Sequence, residues 1–298
     1  MPPLESGKTV NFQNVLVASD FSPAAETALL HALAFARRWH ARVVVAHIVS
    51  PSAIFGQESV QRTLNDAWRE AHRSITNHLI AGHLEGVENR VVVRQGEMWP
   101  ELEKVAEEFQ ADLLVTGTRG RSGVLKVLLG STAETVFRQS TIPVLTVGPR
   151  VPEPAPTDSP GRVLYSTGFA AQSLYASRFA FAIAARHQAP LAMVHVLHDT
   201  AENSGATRDR LHRESADRLR QLVPANLGLA GAPEVHVRFG STAETILAMA
   251  EQLHPDVIVL GLRRHSQGVK PAVWTTAYTI VSNAPCPVLT VRTPEELS

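Results

Sequence analysis

Cysteine is nearly absent from this chain, and neither sign of charge prevails. The lone Cys286 excludes an intramolecular disulfide and a cysteine-rich zinc site, a composition that suits a reducing compartment. Set in Ala284-Pro285-Cys286-Pro287-Val288-Leu289, it reads as a small buried hydrophobe. Lys and Arg number 28 against 28 Asp and Glu, so no overall field draws the protein to nucleic acid or to an anionic membrane. No apolar run is long enough to cross a bilayer, and Met1 to Lys8 lack the basic start and apolar stretch of a secretory signal. The expectation is a cytoplasmic protein with neither a nucleic-acid nor a membrane partner.

What the chain does have is size and repetition. With 298 residues, 44% of them hydrophobic, it can bury two cores of ordinary size. Asn14 to Val49 matches Arg162 to Leu197 at an offset of 148, pairing Val15 with Val163, Phe21 with Phe169, Arg38 with Arg186 and His47 with His195. Val91 to Val147 matches Val235 to Val291 at an offset of 144, sharing Val-x-Val-Arg-x-Gly, the Asp112/Asp256 pair and a closing Pro-Val-Leu-Thr-Val. Between the copies, Val151 to Gly161 alternates prolines that favour extended, solvated backbone. The expected domains are therefore 1–150 and 162–298, joined by a linker at 151–161.

Within the first copy, short apolar runs alternate with helical periodicity. Strands are expected at 14–19, 42–49, 90–94, 112–116 and 144–147, and helices at 23–40, 58–84, 99–109 and 131–140. Ser22 before Pro23 supplies a hydroxyl N-cap with proline at the first helical position. Near-continuous apolar strands such as Val43-Val44-Val45-Ala46 fit parallel strands covered on both faces. The fold class is α/β: two tandem doubly wound domains, each a five-stranded parallel sheet flanked by helices. Ligands of such sheets sit beyond the carboxyl ends of the strands, where the strand order reverses.

One loop there has unusual chemistry. After Leu113-Leu114-Val115-Thr116 come Gly117, Gly120 and Gly123, three basic residues (Arg119, Arg121 and Lys126), and then Gly130-Ser131-Thr132 opening a helix. Bare glycine backbone and a helix N-terminus can both turn N–H groups toward a phosphate. A flexible turn leading into a capped helix uses the same residues. The P-loop pattern G-x-x-x-x-G-K-[ST] is missing, as is G-x-G-x-x-G after the first strand, which disfavours P-loop hydrolases and Rossmann dehydrogenases.

The G-x2-G-x9-G-[ST] formed by Gly117, Gly120, Gly130 and Ser131 resembles the motif of ATP-binding members of the universal stress protein family. The resemblance covers Asn14 to Val147 and Arg162 to Val291, including Asp20-Phe21-Ser22 after the first strand and His47-Ile48-Val49 ending the second. It implies an adenine nucleotide α-hydrolase-like fold with ATP as ligand, with or without Mg2+. Asp20 would receive the ribose or its neighbourhood, and Ile48 would offer backbone contacts to the adenine edge. Gly117, Arg119 and Gly120 would wrap ribose and phosphates, while Gly130, Ser131 and Thr132 would hold the phosphate tail. Asp20 could instead serve only to cap the following helix. The resemblance further implies that Val144–Val147 and Val288–Val291 pair within the chain as an internal pseudo-dimer; whole chains could also form a homodimer.

The second copy keeps Gly261 and Thr275 of the motif, but Arg264 stands for Gly120, Trp274 for Gly130 and Gly168 for Asp20. An indole in place of bare backbone would fill a phosphate's volume, so this half is not expected to bind ATP in the family's manner. Arg263, Arg264, His265 and Lys270 could form a different anion site, or simply a solvated basic loop. His195-x-x-His198 suggests a metal pair, but His47 in the other copy implies a shared packing role, and no metal is assigned. The expected function is an ATP-binding stress-response switch, at most a slow ATPase, acting on an unidentified protein partner. The alternative is a nucleotide-independent interaction module. An adenylating enzyme is disfavoured because Ser-Gly-Gly-x-Asp-Ser does not follow the first strand.

Overall fold

The computed structural model describes residues 10–50, 57–80, 85–118, 130–154, 161–199, 205–262 and 272–294. The first half runs β1 (Asn14–Ala18), α1 (Pro23–Trp39), β2 (Arg42–Val49), α2 (Gln57–Ile80), β3 (Asn89–Gln95), α3 (Met98–Glu108), β4 (Leu113–Gly117), α4 (Ser131–Gln139), β5 (Val144–Val147). The second repeats it as β6 (Val163–Ser166), α5 (Ala171–His187), β7 (Leu191–Leu197), α6 (Gly205–Gln221), β8 (Glu234–Phe239), α7 (Thr242–Leu253), β9 (Val257–Leu262), α8 (Ala272–Asn283), β10 (Val288–Arg292). Every element read from periodicity in the first copy is present.

The strands form one sheet of ten, ordered β3-β2-β1-β4-β5-β10-β9-β6-β7-β8. All neighbours are parallel except β5 and β10, which run antiparallel with Leu145 opposite Leu289 and Thr146 opposite Val288. The two five-stranded sheets expected from the repeat are thus fused through their last strands, making the intrachain pseudo-dimer.

Period-two alternation decides which residue faces which layer. Val15 and Val17 of β1 join a cluster with Ala28, Leu29, Ala32 and Leu33 of α1, which continues through α5 to Ala216 and Leu219 of α6. Leu16 and Ala18 face the other way, onto Leu102 and Val105 of α3 and Val136 of α4. The second half's opposite face is filled by α7 and α8. With helices on both faces, the inner strands are buried along nearly their whole length, while edge strand β3 is half-exposed.

Helix starts and stops follow local chemistry. The Ser22 hydroxyl accepts from the Ala25 amide at 3.3 Å, with Pro23 in the first turn. α1 and α5 both end on a left-handed residue, His40 and Gln188. Where the halves meet, Phe12 lies 4.9 Å from Trp39 and 6.0 Å from Phe179, and the Arg186 guanidinium sits 4.9 Å above Trp39. Cys286 is buried as expected, and burial pushes its thiol up to about 12. Among the described residues no helix is long and apolar enough to cross a membrane.

Candidate functional site

In the first half β1 is flanked by β2 on one side and β4 on the other, so the chain reverses its direction of winding between β1 and β4. Asp20 follows β1 and Gly117 ends β4, placing both at the carboxyl side of this switch point. A cavity of about 480 Å³ opens beyond the carboxyl ends of β1 and β2, against α2. Asp20 and Phe21 line it from the loop after β1, His47 to Ser50 from the end of β2, and Thr63, Asp66, Ala67 and Glu70 from α2. Its size falls within the range usual for small-molecule sites, about 300–1,000 Å³.

The loop after β1 is held in an uncommon conformation. Phe21 has φ of 58°, a left-handed value that is costly for a bulky residue. Three contacts stabilise it: the Asp20 carboxylate accepts from the Ser22 amide at 3.0 Å, the Ser19 hydroxyl accepts from the Phe21 amide at 3.1 Å, and the Phe21 ring lies 4.6 Å from His47. His47 Nδ1–H donates to the Ser19 carbonyl at 2.7 Å. Asp20 therefore shapes the turn, whereas the N-cap of α1 is Ser22. The second half repeats the device: Phe169 has φ of 59°, lies 4.5 Å from His195, and His195 Nδ1–H donates to the Thr167 carbonyl at 2.7 Å. The two histidines share the packing role that their alignment implied.

On the other side of the switch point, the Thr118 amide donates to Val147 at 3.1 Å and the Gly130 amide donates to the Thr118 carbonyl at 2.7 Å. Residues 118 and 130 are thus held together. Gly130 is the N-cap of α4, and with no side chain it makes no capping hydrogen bond. The first-turn amides of α4 are left without a side-chain acceptor from that residue, the condition under which a helix N-terminus receives an anion. Thr132 lies in that first turn, half-buried. Asp20 and Ile48 are thus together on the cavity, whereas Gly117, Gly130 and Thr132, at the end of β4 and the start of α4, are not among its described lining residues. Arg119 and Gly120 lie outside the described residues, as does the side chain of Ser131.

Comparison with known proteins matches this arrangement to a family. The model of the universal stress protein family matches residues 11–148 and again 161–292. The chain belongs to the universal stress protein family. About half of the chain is similar to a shorter relative, a universal stress protein of Methanocaldococcus jannaschii: 27% identity over 156 residues, covering 47% of this chain and 96% of that one. A Bacillus subtilis universal stress protein is 29% identical over 146 residues, covering 46% of this chain and 99% of the relative. The tandem fold is shared with a universal stress protein of Archaeoglobus fulgidus, TM-score 0.68 at 19% identity, covering 94% of this chain and 98% of the other.

In this universal stress protein one motif glycine has a packing reason of its own. A Cβ on Gly117 would stand 2.6 Å from the Ala24 carbonyl oxygen and 2.9 Å from its carbon, in the first turn of α1. Gly261 is tighter still, with Gln172 C and Ser173 Cα of α5 each 2.5 Å from a Cβ there. The glycine common to both halves is thus required by close approach of helix to strand, and by itself it says nothing about a ligand. The halves differ elsewhere. α8 begins at Ala272, one turn ahead of Thr275, the partner of Ser131, so Trp274 is inside the helix where Gly130 stands just before one. Arg218 of α6 lies 4.0 Å from the Phe169 ring centroid, over the loop corresponding to Phe21. Burial, together with Arg218 and His198, holds His195 below the usual imidazole range against the Thr167 hydrogen bond. Arg263, Arg264, His265 and Lys270 lie outside the described residues.

The α2 wall of the cavity escaped sequence reasoning. Thr63, Asp66, Ala67 and Glu70 recur at helical spacing and so share a face. The periodicity was available, but nothing in it distinguishes a face turned to a cavity from one turned to solvent.

Proposed function

We propose that the first half, residues 1–150, binds an adenine nucleotide, ATP, at the β1/β4 switch point, and that 151–161 links it to a second half, 162–298, without an equivalent site. The observation that carries this reading is the cavity of about 480 Å³ lined by Asp20 and Ile48; the glycine N-cap of α4, which follows the neighbouring strand β4 and has no capping side chain, supports it. Shape and donors fit such a ligand. The cavity offers the Asp20 carboxylate to a ribose hydroxyl and the backbone of Ile48 to the base. Gly130, Ser131 and Thr132 present first-turn amides to the phosphates, joined by Arg119 and Gly120 as the family motif implies. In the second half Gly168 offers no carboxylate, and the glycine N-cap has been replaced by a helix that begins earlier.

Bound nucleotide is proposed to act as a stress-response switch, altering shape or affinity for a protein partner. Hydrolysis, where it occurs, is proposed to be slow: among the described residues the carboxylates on the cavity besides Asp20 are Asp66 and Glu70, and these are engaged by Arg69 at 2.9 Å and by Arg73. Mg2+, when it accompanies ATP, supplies charge neutralisation on the phosphates.

Thermal unfolding with millimolar ATP tests the reading. A single site at about 100-fold excess over Kd adds about 2.7 kcal/mol, which raises Tm measurably. The shift is expected in the native protein and lost in Gly130→Trp. Native protein that shows no shift with ATP rejects the reading and favours a nucleotide-independent interaction module.

A further inference from the structure

The helix that opens on Gly130 is built into both halves of the molecule. Its residue Val136 packs with Leu16, Val44 and Val144 of the first half. Ala133 and Phe137, almost fully buried, belong instead to the cluster of the second half, with Ala277, Ile280 and Val281 of α8. α4 therefore lies along the seam, and its orientation depends on both sides.

Its carboxyl end is held from the second half as well. Arg292, at the end of β10, donates through Nη1 to the Ser140 carbonyl at 2.6 Å and through Nη2 to the Phe137 carbonyl. Carbonyls of a last helical turn have no partners within the helix, and a cation there also complements the helix dipole. The opposite end of that dipole is the Gly130 end.

The arrangement is reciprocal but not symmetric. Arg150 of the first half donates through Nη1 to the Asn283 carbonyl at the end of α8, at 2.8 Å, and pairs with Glu251 at 2.5 Å. The residue aligned with Arg292 is Gly148, where a Cβ would come within 2.8 Å of the Val281 carbonyl oxygen. Each half sends an arginine from just beyond or at its closing strand to the other half's last helix. α4 opens on a glycine N-cap, whereas the sequence before α8 has Pro271.

We propose that Arg292 is a positioning residue for the nucleotide site of the first half, so that the second half, without a complete motif of its own, sets the affinity of the first. The inference rests on the nucleotide reading above. Arg292 touches no ligand. It fixes the axis and carboxyl end of α4, and thereby the direction in which the first-turn amides at Ser131 and Thr132 point. By linkage, nucleotide bound at those amides strengthens the seam between the halves.

Calorimetric titration of ATP into the intact chain, with Arg292→Ala, Arg292→Lys and Arg150→Ala, tests this. Arg292→Ala is expected to weaken ATP binding about three- to tenfold, the scale of a charged helix-end contact and its hydrogen bonds. Arg292→Lys recovers part of the loss, and Arg150→Ala leaves the affinity unchanged. Amide hydrogen exchange without nucleotide should rise in α4 of Arg292→Ala and not in α8. Thermal midpoints identify any variant that fails to fold, for which the lysine variant provides the reading. Native affinity in a folded Arg292→Ala protein, or an equal loss in Arg150→Ala, overturns the inference and leaves the nucleotide reading standing. Native protein that binds no ATP overturns both.

Discussion

Replacing Gly261 by alanine should destabilise the protein even though its half lacks the other two glycines of the nucleotide motif. The added Cβ would meet Gln172 C and Ser173 Cα at 2.5 Å, and both are backbone atoms in the first turn of α5, so relief requires moving the helix against β9. Gly117→Ala meets Ala24 at 2.6 Å and 2.9 Å, a milder version of the same clash. Overpacking of this kind costs about 1–3 kcal/mol, with Gly261→Ala at the upper end. Against it stands about 0.4–1 kcal/mol from the loss of glycine's freedom in the unfolded chain. The net expectation is about 2 kcal/mol for Gly261→Ala and about 1 kcal/mol for Gly117→Ala, a fall in Tm of roughly 2–4 °C per kcal/mol. Gly168→Ala is the control, because a Cβ there meets nothing within 4 Å. Differential scanning calorimetry of the three variants decides it. Gly261→Ala melting with the native protein, or Gly168→Ala falling as far as Gly261→Ala, refutes the claim that helix approach demands this glycine.

Two further outcomes follow from buried groups. Burial, reinforced by Arg38 and Arg186, lowers His187 to about 4, so its protonation favours the unfolded chain. The stability this histidine contributes is complete above about pH 6.5 and declines as pH falls from there through about 4; urea midpoints across that window should drop, and His187→Gln should flatten the acid limb, an unchanged slope counting against the assignment. Tyr165 is buried on β6 and its hydroxyl donates to the Ser173 carbonyl of α5 at 2.5 Å. Tyr165→Phe should cost about 0.5–1.5 kcal/mol in chemical denaturation by removing that bond, since the Ser173 carbonyl keeps its helical partner, and a neutral result would mean that the bond contributes nothing net.

Much of the fold was legible because the same chemistry is written twice. Ser22-Pro23 announces the start of α1, near-continuous apolar runs announce β1 and β2, and the repeated Pro-Val-Leu-Thr-Val marks the strands that pair across the seam. Gly117 was legible as a position needing bare backbone, but the reason was not: its neighbour, Ala24, is distant in sequence and adjacent only after β1 and β4 have paired. The same holds for the cavity wall on α2. Thr63, Asp66 and Glu70 look like any exposed helical face until β2 and the loop after β1 are set opposite them. Phe21 gave no hint of its left-handed backbone, since the residues that stabilise it, Ser19, Asp20 and His47, are ordinary in isolation. The reciprocal arginines were equally hidden, because a half-exposed Arg at a strand end acquires meaning only from the helix end that arrives beside it.

The proposed binding is asymmetric: one nucleotide site in a molecule with two copies of the fold. Equilibrium dialysis with labelled ATP over the intact chain tests it directly. One nucleotide per chain is predicted for the native protein and none for Gly130→Trp. Two per chain, or undiminished binding by Gly130→Trp, would contradict it.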